Sequence, residues 1–301
     1  METNTQQSGV LTSRDSLYPT LLKEISGAPL KLFFRGDVSA FDSPLRIAII
    51  GTRKASYEGK EFAKMCAYEC ARRGITVVSG LALGIDAAAH EGALQANGRT
   101  IAVLACGTDI VYPPSHHGLA QKILDAQGII ISEYEQGTPP LPFRFLERNR
   151  IVAGLCQAVV VIEAPDRSGA LVTARYATDY GREVFVIPGD IKFPNYKGSH
   201  QLIRKGARLI TSIEDMLEDL AYSSEAFQEC VSSLPKKAHI ALSPDEQKII
   251  DALYKLKEPQ TFDALAEETG LAISTLTQYL TFLTLEGLVL ETHGAFTILS
   301  H

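Results

Sequence analysis

From residue 46 onward, short apolar runs alternate with longer amphipathic stretches, and no other feature restricts the possible folds as much. A strand followed by a helix, repeated, forms a parallel sheet, because each helix returns the chain to the edge where the last strand began. The pattern therefore predicts an α/β fold, a doubly wound Rossmann-like parallel sheet. The predicted strands are 47–50, 76–78, 100–104, 129–131, 158–162 and 183–187, and the predicted helices are 58–73, 85–97, 116–127, 148–156 and 170–180, with a last helical region at 203–220.

The segments on either side of this alternation have different patterns. Residues 1–40 are expected to form an N-terminal tail and a small cap, and residues 41–220 the Rossmann-like domain. Residues 221–239, rich in Ser and Ala, are expected to form a linker. Residues 240–301 then follow as a small second domain, in which three helical patterns precede an alternating stretch. That order predicts a winged helix.

Local signals mark the ends of the helices in the second domain. Ser243 and Glu246 have the spacing of a capping box at the first helix, with Pro between them. Gly270 and Gly287 are expected to end the second and third helices, since glycine readily adopts the conformation that terminates a helix. The last stretch alternates around His293 and is expected to form a hairpin.

Composition excludes several classes of protein. With 46% hydrophobic residues in 301, the chain can bury a full α/β core and still form a second domain. Its apolar runs fall far short of the roughly 18 residues that a membrane span needs, and we expect a cytoplasmic protein with no membrane partner. Its five cysteines form no CxxC pair, so we expect them to pack rather than to bind a metal.

The acidic residues are concentrated at one end of the chain. Residues 240–301 hold nine Asp and Glu against three Lys, which accounts for the whole net charge of −6. Residues 1–239 are therefore electrically balanced, and a balanced surface can still carry a local basic groove for a polyanion. The charge distribution thus leaves nucleic acid open as a partner of the larger domain only.

A turn suited to phosphate follows the first predicted strand. Gly51, Thr52, Arg53 and Lys54 lie between this strand and a helix, at the edge where open α/β sheets bind ligands. Unpaired N–H groups at a helix start favour phosphate, and Arg53 adds a bidentate donor. The chain has neither GxGxxG nor GxxxxGK[ST], which disfavours hydride and phosphoryl transfer, and we expect no cofactor.

A second basic stretch carries aromatic rings. Arg144, Phe145, Arg148, Asn149 and Arg150 surround the start of a predicted helix. Guanidinium groups that contact the backbone and rings that stack on bases are the elements of single-strand binding. The alternative is that Arg148 and Arg150 pair with core carboxylates and brace adjacent loops, and this alternative is stronger for Arg150 than for the others.

Two further turns end at the same edge of the sheet. Ser79 and Gly80 begin the first of them, and Asp86 and His90 follow on one helix face, where they are more consistent with a cap and its neighbour than with catalysis. In the second turn, Ser168 is expected to cap a helix whose amides face the groove, with Gly169 next to it.

Five motifs occur in a fixed order along the larger domain: Gly51-Thr52-Arg53, Ser79-Gly80-Leu81-Ala82 with Gly84-Ile85-Asp86 and His90, Phe145 with Arg148-Asn149-Arg150, Ser168-Gly169 with Thr173-Ala174, and Pro188-Gly189. In their order and spacing, these motifs resemble the DNA-processing protein A (DprA, also called Smf) family over about residues 18–210. The resemblance implies a bacterial, non-enzymatic protein that binds single-stranded DNA, protects incoming DNA in natural transformation and loads the RecA recombinase onto it as a homodimer.

The resemblance also assigns roles by position. Arg53, Phe145 and the basic residues beside it would line the DNA groove, and Ser79, Gly80, Ser168 and Gly169 would contribute backbone contacts. Two positions depart from the family pattern, Leu146 where Pro is usual and His200 where Asn is usual. Some members carry a helical N-terminal domain, which we do not expect here.

Two other functions remain open on such a fold. One is a nucleotide phosphoribohydrolase-like enzyme, for which Glu163 is the only carboxylate placed to act, although the Gly-rich phosphate loop is missing. The other is a sensor of free nucleotides that uses the same edge of the sheet. The third helix of the winged-helix domain has no Lys or Arg, so we expect this domain to contact protein rather than to read duplex DNA.

Overall fold

The computed structural model describes residues 7–223, 225–234, 243–256, 258–285, 288–292 and 294–298. It divides the chain into two units, Met1–Lys237 and Ala238–His301. No helix among the described residues is long and apolar enough to cross a membrane.

A mostly parallel sheet forms the centre of the larger unit. The strands lie in the order β1-β2-β6-β5-β4-β3-β7-β8-β9, and β3 to β9 are all parallel, as the alternation predicts. Their bounds are β1 Ser8–Thr12, β2 Lys31–Gly36, β3 Arg46–Ile50, β4 Thr76–Ser79, β5 Thr100–Leu104, β6 Ile129–Ser132, β7 Ala158–Val161, β8 Glu183–Val186 and β9 Arg208–Leu209.

Helices cover both faces of this sheet. Side chains alternate along β3, so Ile47 and Ile49 pack with the helices of one face, and Ala48 and Ile50 pack with those of the other. Every residue of β3 is buried, as expected for a central strand of a doubly wound sheet. The helices are α1 Thr20–Lys23, α2 Tyr57–Arg72, α3 Ile85–Gln95, α4 His117–Asp125, α5 Pro142–Gly154, α6 Gly169–Asp179, α7 Lys197–Arg204, α8 Ile213–Ser223 and α9 Glu225–Ser233.

The N-terminal segment is more than the expected tail and cap. It contributes β1 and β2, which extend the sheet in antiparallel pairing beyond β6. β1 is largely exposed and β2 is mostly half-buried, so neither shows the continuous apolar run of the parallel strands. These two strands form through hydrogen bonds to each other and to β6, not through a local apolar pattern.

Two other expectations need correction. Helix α5 begins at Pro142, six residues before the predicted start, because Pro is favoured in the first turn of a helix. The beginning of the expected linker is helical, since α9 packs Phe227 and Val231 on the core of the larger unit and Leu234 is buried. Residues 235–239 of that linker lie outside the described residues.

The smaller unit is a winged helix, as predicted. Its helices are α10 Pro244–Leu256, α11 Phe262–Thr269 and α12 Ile273–Leu285, and its sheet has the order β10-β12-β11, with β10 Gln260–Thr261, β11 Val289–Thr292 and β12 Ala295–Ile298. The capping box is present, because Ser243 N donates to Glu246 Oε2 (2.6 Å) and Glu246 N donates to Ser243 Oγ (3.3 Å). Gly270 ends α11 with a φ of 67°. Gly287 and His293 lie outside the described residues.

Candidate functional site

A cleft of about 450 Å³ opens at the carboxyl ends of β3, β4 and β7. The chain runs outward from β3 to β4, β5 and β6, and later resumes on the other side of β3 with β7. The cleft therefore lies at the switch point of the sheet, where doubly wound folds bind ligands. Helix α5 and the N-terminus of α6 form its walls. Nine of the sequence-predicted residues line it, namely Gly51, Thr52, Arg53, Gly80, Phe145, Arg148, Asn149, Ser168 and Gly169.

The floor of the cleft is made of backbone turns held close together. Thr52 N donates to the carbonyl oxygen of Glu163 (2.7 Å), and Ile85 N donates to the carbonyl oxygen of Thr52 (3.3 Å). Gly84 has a φ of 82°, and a Cβ at this position would overlap the Thr52 carbonyl oxygen. Only glycine therefore allows the turn after β4 to approach the turn after β3 so closely.

Arg53 stands at the rim of the cleft against an aromatic ring. Its guanidinium carbon lies 4.8 Å from the ring centroid of Phe145. Because Arg53 is exposed, its charge faces solvent while the ring of Phe145 limits its movement. This pair joins a turn of the sheet edge to a helix nearly 100 residues later in the chain.

Arg148, in contrast, lies beneath the surface with only 4% of its area exposed. Its Nη1 donates to the carbonyl oxygens of Gly80 (2.7 Å) and Val103, at the ends of neighbouring strands. Burial lowers the pKa of the Arg148 guanidinium, and the nearby carboxylate of Asp86 opposes that shift. Arg148 thus ties together the turns that form the floor.

Asp86 completes this network. Its Oδ2 accepts hydrogen bonds from Gly80 N (3.1 Å) and Ala82 N (3.4 Å). Burial raises the pKa of the Asp86 carboxyl, and Arg148 and these hydrogen bonds act in the opposite direction. The expected role of Asp86 as a local hydrogen-bond partner agrees with this geometry.

Asn149 and the start of α6 form the far wall. Asn149 Oδ1 accepts a hydrogen bond from Arg148 Nε (3.3 Å), and Asn149 Nδ2 donates to the carbonyl oxygen of Gly169 (3.2 Å). Ser168 caps α6, since its Oγ accepts from Ala170 N (3.2 Å). The positive end of the α6 dipole therefore borders the cleft.

Four sequence-predicted residues do not line the cleft. Lys54 is exposed beyond the rim, and Ser79 is fully buried with its hydroxyl donating to the Ile49 carbonyl oxygen (2.7 Å). Arg144 lies outside, with its guanidinium carbon 5.0 Å from the ring centroid of Tyr134. Arg150 forms an ion pair with Glu133, as its alternative role as a brace predicts, and borders a separate cleft.

Glu163 and His90 are poorly placed for catalysis. Glu163 is fully buried and accepts hydrogen bonds from Ser56 N (3.0 Å) and Asn195 Nδ2 (2.8 Å), and it does not line the cleft. His90 Nδ1 lies 2.7 Å from Thr100 Oγ1, which donates to the Val77 carbonyl oxygen. Its expected pairing with Asp86 is replaced by this contact, and burial lowers the pKa of His90 to about 3.

Sequence reasoning missed several residues of the site and its rim. Leu146, Asp166, Arg167 and Thr173 also line the cleft. Tyr112 contacts Phe145, with ring centroids 5.5 Å apart. Tyr112 follows a predicted strand, and loops after parallel strands meet at one edge of the sheet, so its sequence position could have indicated that it lies near the site.

Comparison with known proteins agrees with this architecture. The family model described as DNA recombination-mediator protein A matches residues 9–221, and the model described as DprA winged helix domain matches residues 234–295. The chain belongs to the DprA/Smf family. Protein Smf of Escherichia coli is 36% identical to this DprA-family chain over 292 residues, which are 95% of this chain and 76% of that protein.

Solved structures of two DprA proteins share the fold. DNA processing protein A from Streptococcus pneumoniae is 41% identical with a TM-score of 0.67, covering 70% of this chain and 74% of that one. DNA processing protein A from Helicobacter pylori, whose structure is described as showing a single-stranded DNA binding mode, is 35% identical with a TM-score of 0.64. That match covers 72% of this chain and 97% of the other. The family models, the relatives and these structures together support the function of a DNA-processing protein.

Proposed function

We propose that the chain binds single-stranded DNA in the cleft at the carboxyl ends of β3, β4 and β7. The observation that carries this proposal is the exposed Arg53 guanidinium stacked on Phe145 at the rim of a cleft with a backbone floor. A guanidinium beside a ring suits a phosphate next to a base, whereas backbone groups contact a strand without reading its sequence. The cleft volume is in the range that holds a nucleotide-sized ligand.

The electrostatics of the walls support the same conclusion. Arg53 and Arg167 are exposed on the lining of the cleft, and the N-terminus of α6, on the same lining, adds a partial positive charge. Asp166 also lines the cleft, but its carboxylate accepts from Lys197 Nζ (2.8 Å) and Gln201 Nε2 (2.7 Å). The one exposed carboxylate of the lining is thus partly neutralised, and the net field favours phosphate.

The test is an anisotropy titration with single-stranded and duplex DNA at several salt concentrations. Arg53→Ala should weaken single-strand binding by about 1–3 kcal/mol and lower the slope of log K against log salt by about 0.7. Arg99→Ala is the matched control, because Arg99 is exposed and precedes β5 at the opposite edge of the sheet. Equal losses of single-strand affinity in the two variants would show that Arg53 is not part of the site.

The same titration separates the alternatives. A nucleotide sensor predicts saturable binding of a mononucleotide with no gain for longer oligonucleotides, whereas a strand-binding groove predicts affinity that rises with length. The phosphoribohydrolase-like enzyme is disfavoured by Glu163, which is buried away from the cleft lining. No cofactor is needed for the proposed binding, and the protein acts without turnover.

Family membership supports a finer role. The chain protects incoming single-stranded DNA in natural transformation and loads RecA onto it, as a cytoplasmic homodimer. Its winged helix contacts protein rather than duplex DNA, since α12 has no charged residue. A RecA filament-assembly assay on single strands coated with single-strand-binding protein tests the loading. Assembly no faster with the chain than without it would exclude that step, and sedimentation tests the dimer.

A further inference from the structure

The aromatic rings near the cleft differ in how much surface they offer to a ligand. Phe145 is half-buried, with Arg53 over one face of its ring and Tyr112 against it at an interplanar angle of 57°. Tyr112 itself is 42% exposed. Of these two rings, Tyr112 is therefore the one that can receive a base without displacing a neighbour, and Phe145 is the support on which it rests.

The loop that carries Tyr112 is held in place. Val111, the residue before it, is buried in the core between α3, α4 and the sheet. His116 Nδ1 lies 2.9 Å from the carbonyl oxygen of Leu81, on the turn after β4. Asp109 accepts hydrogen bonds from Gly137 N (3.0 Å), which ties the loop to the segment after β6. A ring on so constrained a loop loses little freedom when a base stacks on it.

The contact of Tyr112 with Phe145, which lines the cleft, places Tyr112 on a continuation of the cleft. The cleft spans the ends of β7, β3 and β4, and Tyr112 follows β5, the next strand in the sheet. Neighbouring strands are about 4.8 Å apart, so β7 and β5 are separated by about 14 Å. A stacked strand advances about 3.4 Å per nucleotide, and about four nucleotides bridge that distance.

We propose that Tyr112 forms a second subsite, outside the cleft, on which an unpaired base of the bound strand stacks. This inference rests on the proposed single-strand binding and deepens it. The backbone of the strand lies along the carboxyl edge of the sheet from the N-terminus of α6 past Arg53, and one of its bases leaves the cleft and covers the exposed face of Tyr112.

Fluorescence tests the stacking directly. The chain has no tryptophan, so Tyr112→Trp introduces a single reporter at the proposed subsite. Titration with oligothymidine should quench it, because a stacked base contacts the indole face. Tyr222→Trp is the control, since Tyr222 is 81% exposed on α8 and its reporter should not respond. A Tyr112→Trp protein that binds oligothymidine without quenching overturns the subsite.

Affinity gives a second, independent measurement. Tyr112→Ala should weaken binding roughly 5- to 150-fold while the salt slope stays that of the unaltered chain, because a stacking contact and no phosphate contact is lost. Tyr112→Phe should retain the affinity, since only the hydroxyl is removed. Unchanged affinity of Tyr112→Ala, or a reduced salt slope, overturns the inference. If the unaltered chain binds no single strand, the proposed function fails and the subsite with it.

Discussion

Two arginines of the cleft show how burial decides the role of a side chain. Arg53 is exposed and stacks on Phe145, so its charge is available to a phosphate. Arg148 is buried and donates to the carbonyl oxygens of Gly80 and Val103, with Asp86 as its counter-charge. The structure thus shows that Arg148 positions the floor, and we propose Arg53 as the DNA contact. Arg148 also lines the cleft, and the expectation that it contacts DNA there stays a prediction.

Arg148→Met should destabilise the protein by about 3–5 kcal/mol, because it leaves Asp86 buried without a cationic partner. Urea unfolding at neutral pH measures the loss. Arg148→Met combined with Asp86→Asn should recover part of it, since the unpaired charge is then gone. If the double variant loses more free energy of unfolding than the two single variants lose together, the pairing of Arg148 with Asp86 is contradicted.

His90 predicts a dependence of stability on pH. Burial lowers its pKa from 6.5 to about 3, so the folded state keeps the ring neutral while the unfolded chain takes up a proton below about pH 6.5. Stability from this group is complete above pH 6.5 and falls by roughly 1.4 kcal/mol per unit as the pH drops towards 3. In urea unfolding at pH 7, 6 and 5, His90→Gln should lose stability less steeply than the unaltered chain. Parallel curves would show that His90 is not the titrating group.

At the scale of elements, the cleft depends on how closely two turns and two helices approach. The turn after β4 packs against the turn after β3 at Gly84, and Asn149 on α5 reaches the first turn of α6 at Gly169. These two glycines differ in their surroundings. A Cβ at Gly84 would overlap the Thr52 carbonyl oxygen, whereas at Gly169 the nearest atom would be Asn149 Nδ2 at 3.9 Å.

Gly84→Ala should therefore lower both stability, by about 1–3 kcal/mol, and affinity for single-stranded DNA, because the turn that carries Arg53 must shift. Gly169→Ala should leave stability unchanged or slightly higher, as Ala is favoured over Gly in a helix, and it is the matched control for stability alone because Gly169 itself lines the cleft. Thermal unfolding of the two variants and anisotropy on Gly84→Ala provide the measurements. Equal changes of stability at both positions would show that the close approach at Gly84 is unimportant.

At the scale of the whole molecule, charge and core are divided between the two units. Residues 240–301 hold the whole net charge of −6, and the described part of the smaller unit has its own apolar cluster around Leu253, Leu265 and Leu280. Helix α12 presents no cation to a phosphate. The division leaves the cleft on a unit without net charge and places the acidic excess on the other unit, where the net charge is unfavourable for phosphate.

The segment 238–301 should accordingly fold by itself and bind no duplex DNA near physiological salt, while residues 1–237 should keep the single-strand affinity of the full chain. Circular dichroism checks the folding, and the anisotropy titration checks both affinities. Duplex binding by 238–301 would contradict the assignment of the winged helix to protein contacts.

Much of the architecture followed from local sequence. The strand and helix periods predicted the parallel sheet, and because parallel strands share one carboxyl edge, they also placed Gly51, Gly80 and Ser168 at a common site. The capping box at Ser243 and the stop at Gly270 were equally local. Such features depend on neighbours within a few residues, which is why the sequence by itself determined them.

Tertiary structure decided what depends on partners distant in the chain. The strands β1 and β2 acquire their place by pairing with β6, and α9 by packing on a core formed much earlier in the sequence. Arg148 is buried where the carbonyl oxygens of Gly80 and Val103 accept its hydrogen bonds, whereas Arg53 is exposed with Phe145 against one side of its guanidinium. Burial and pairing are properties of the packed chain. The sequence therefore identified both arginines as candidate site residues, and only the tertiary structure showed that one is exposed and the other buried.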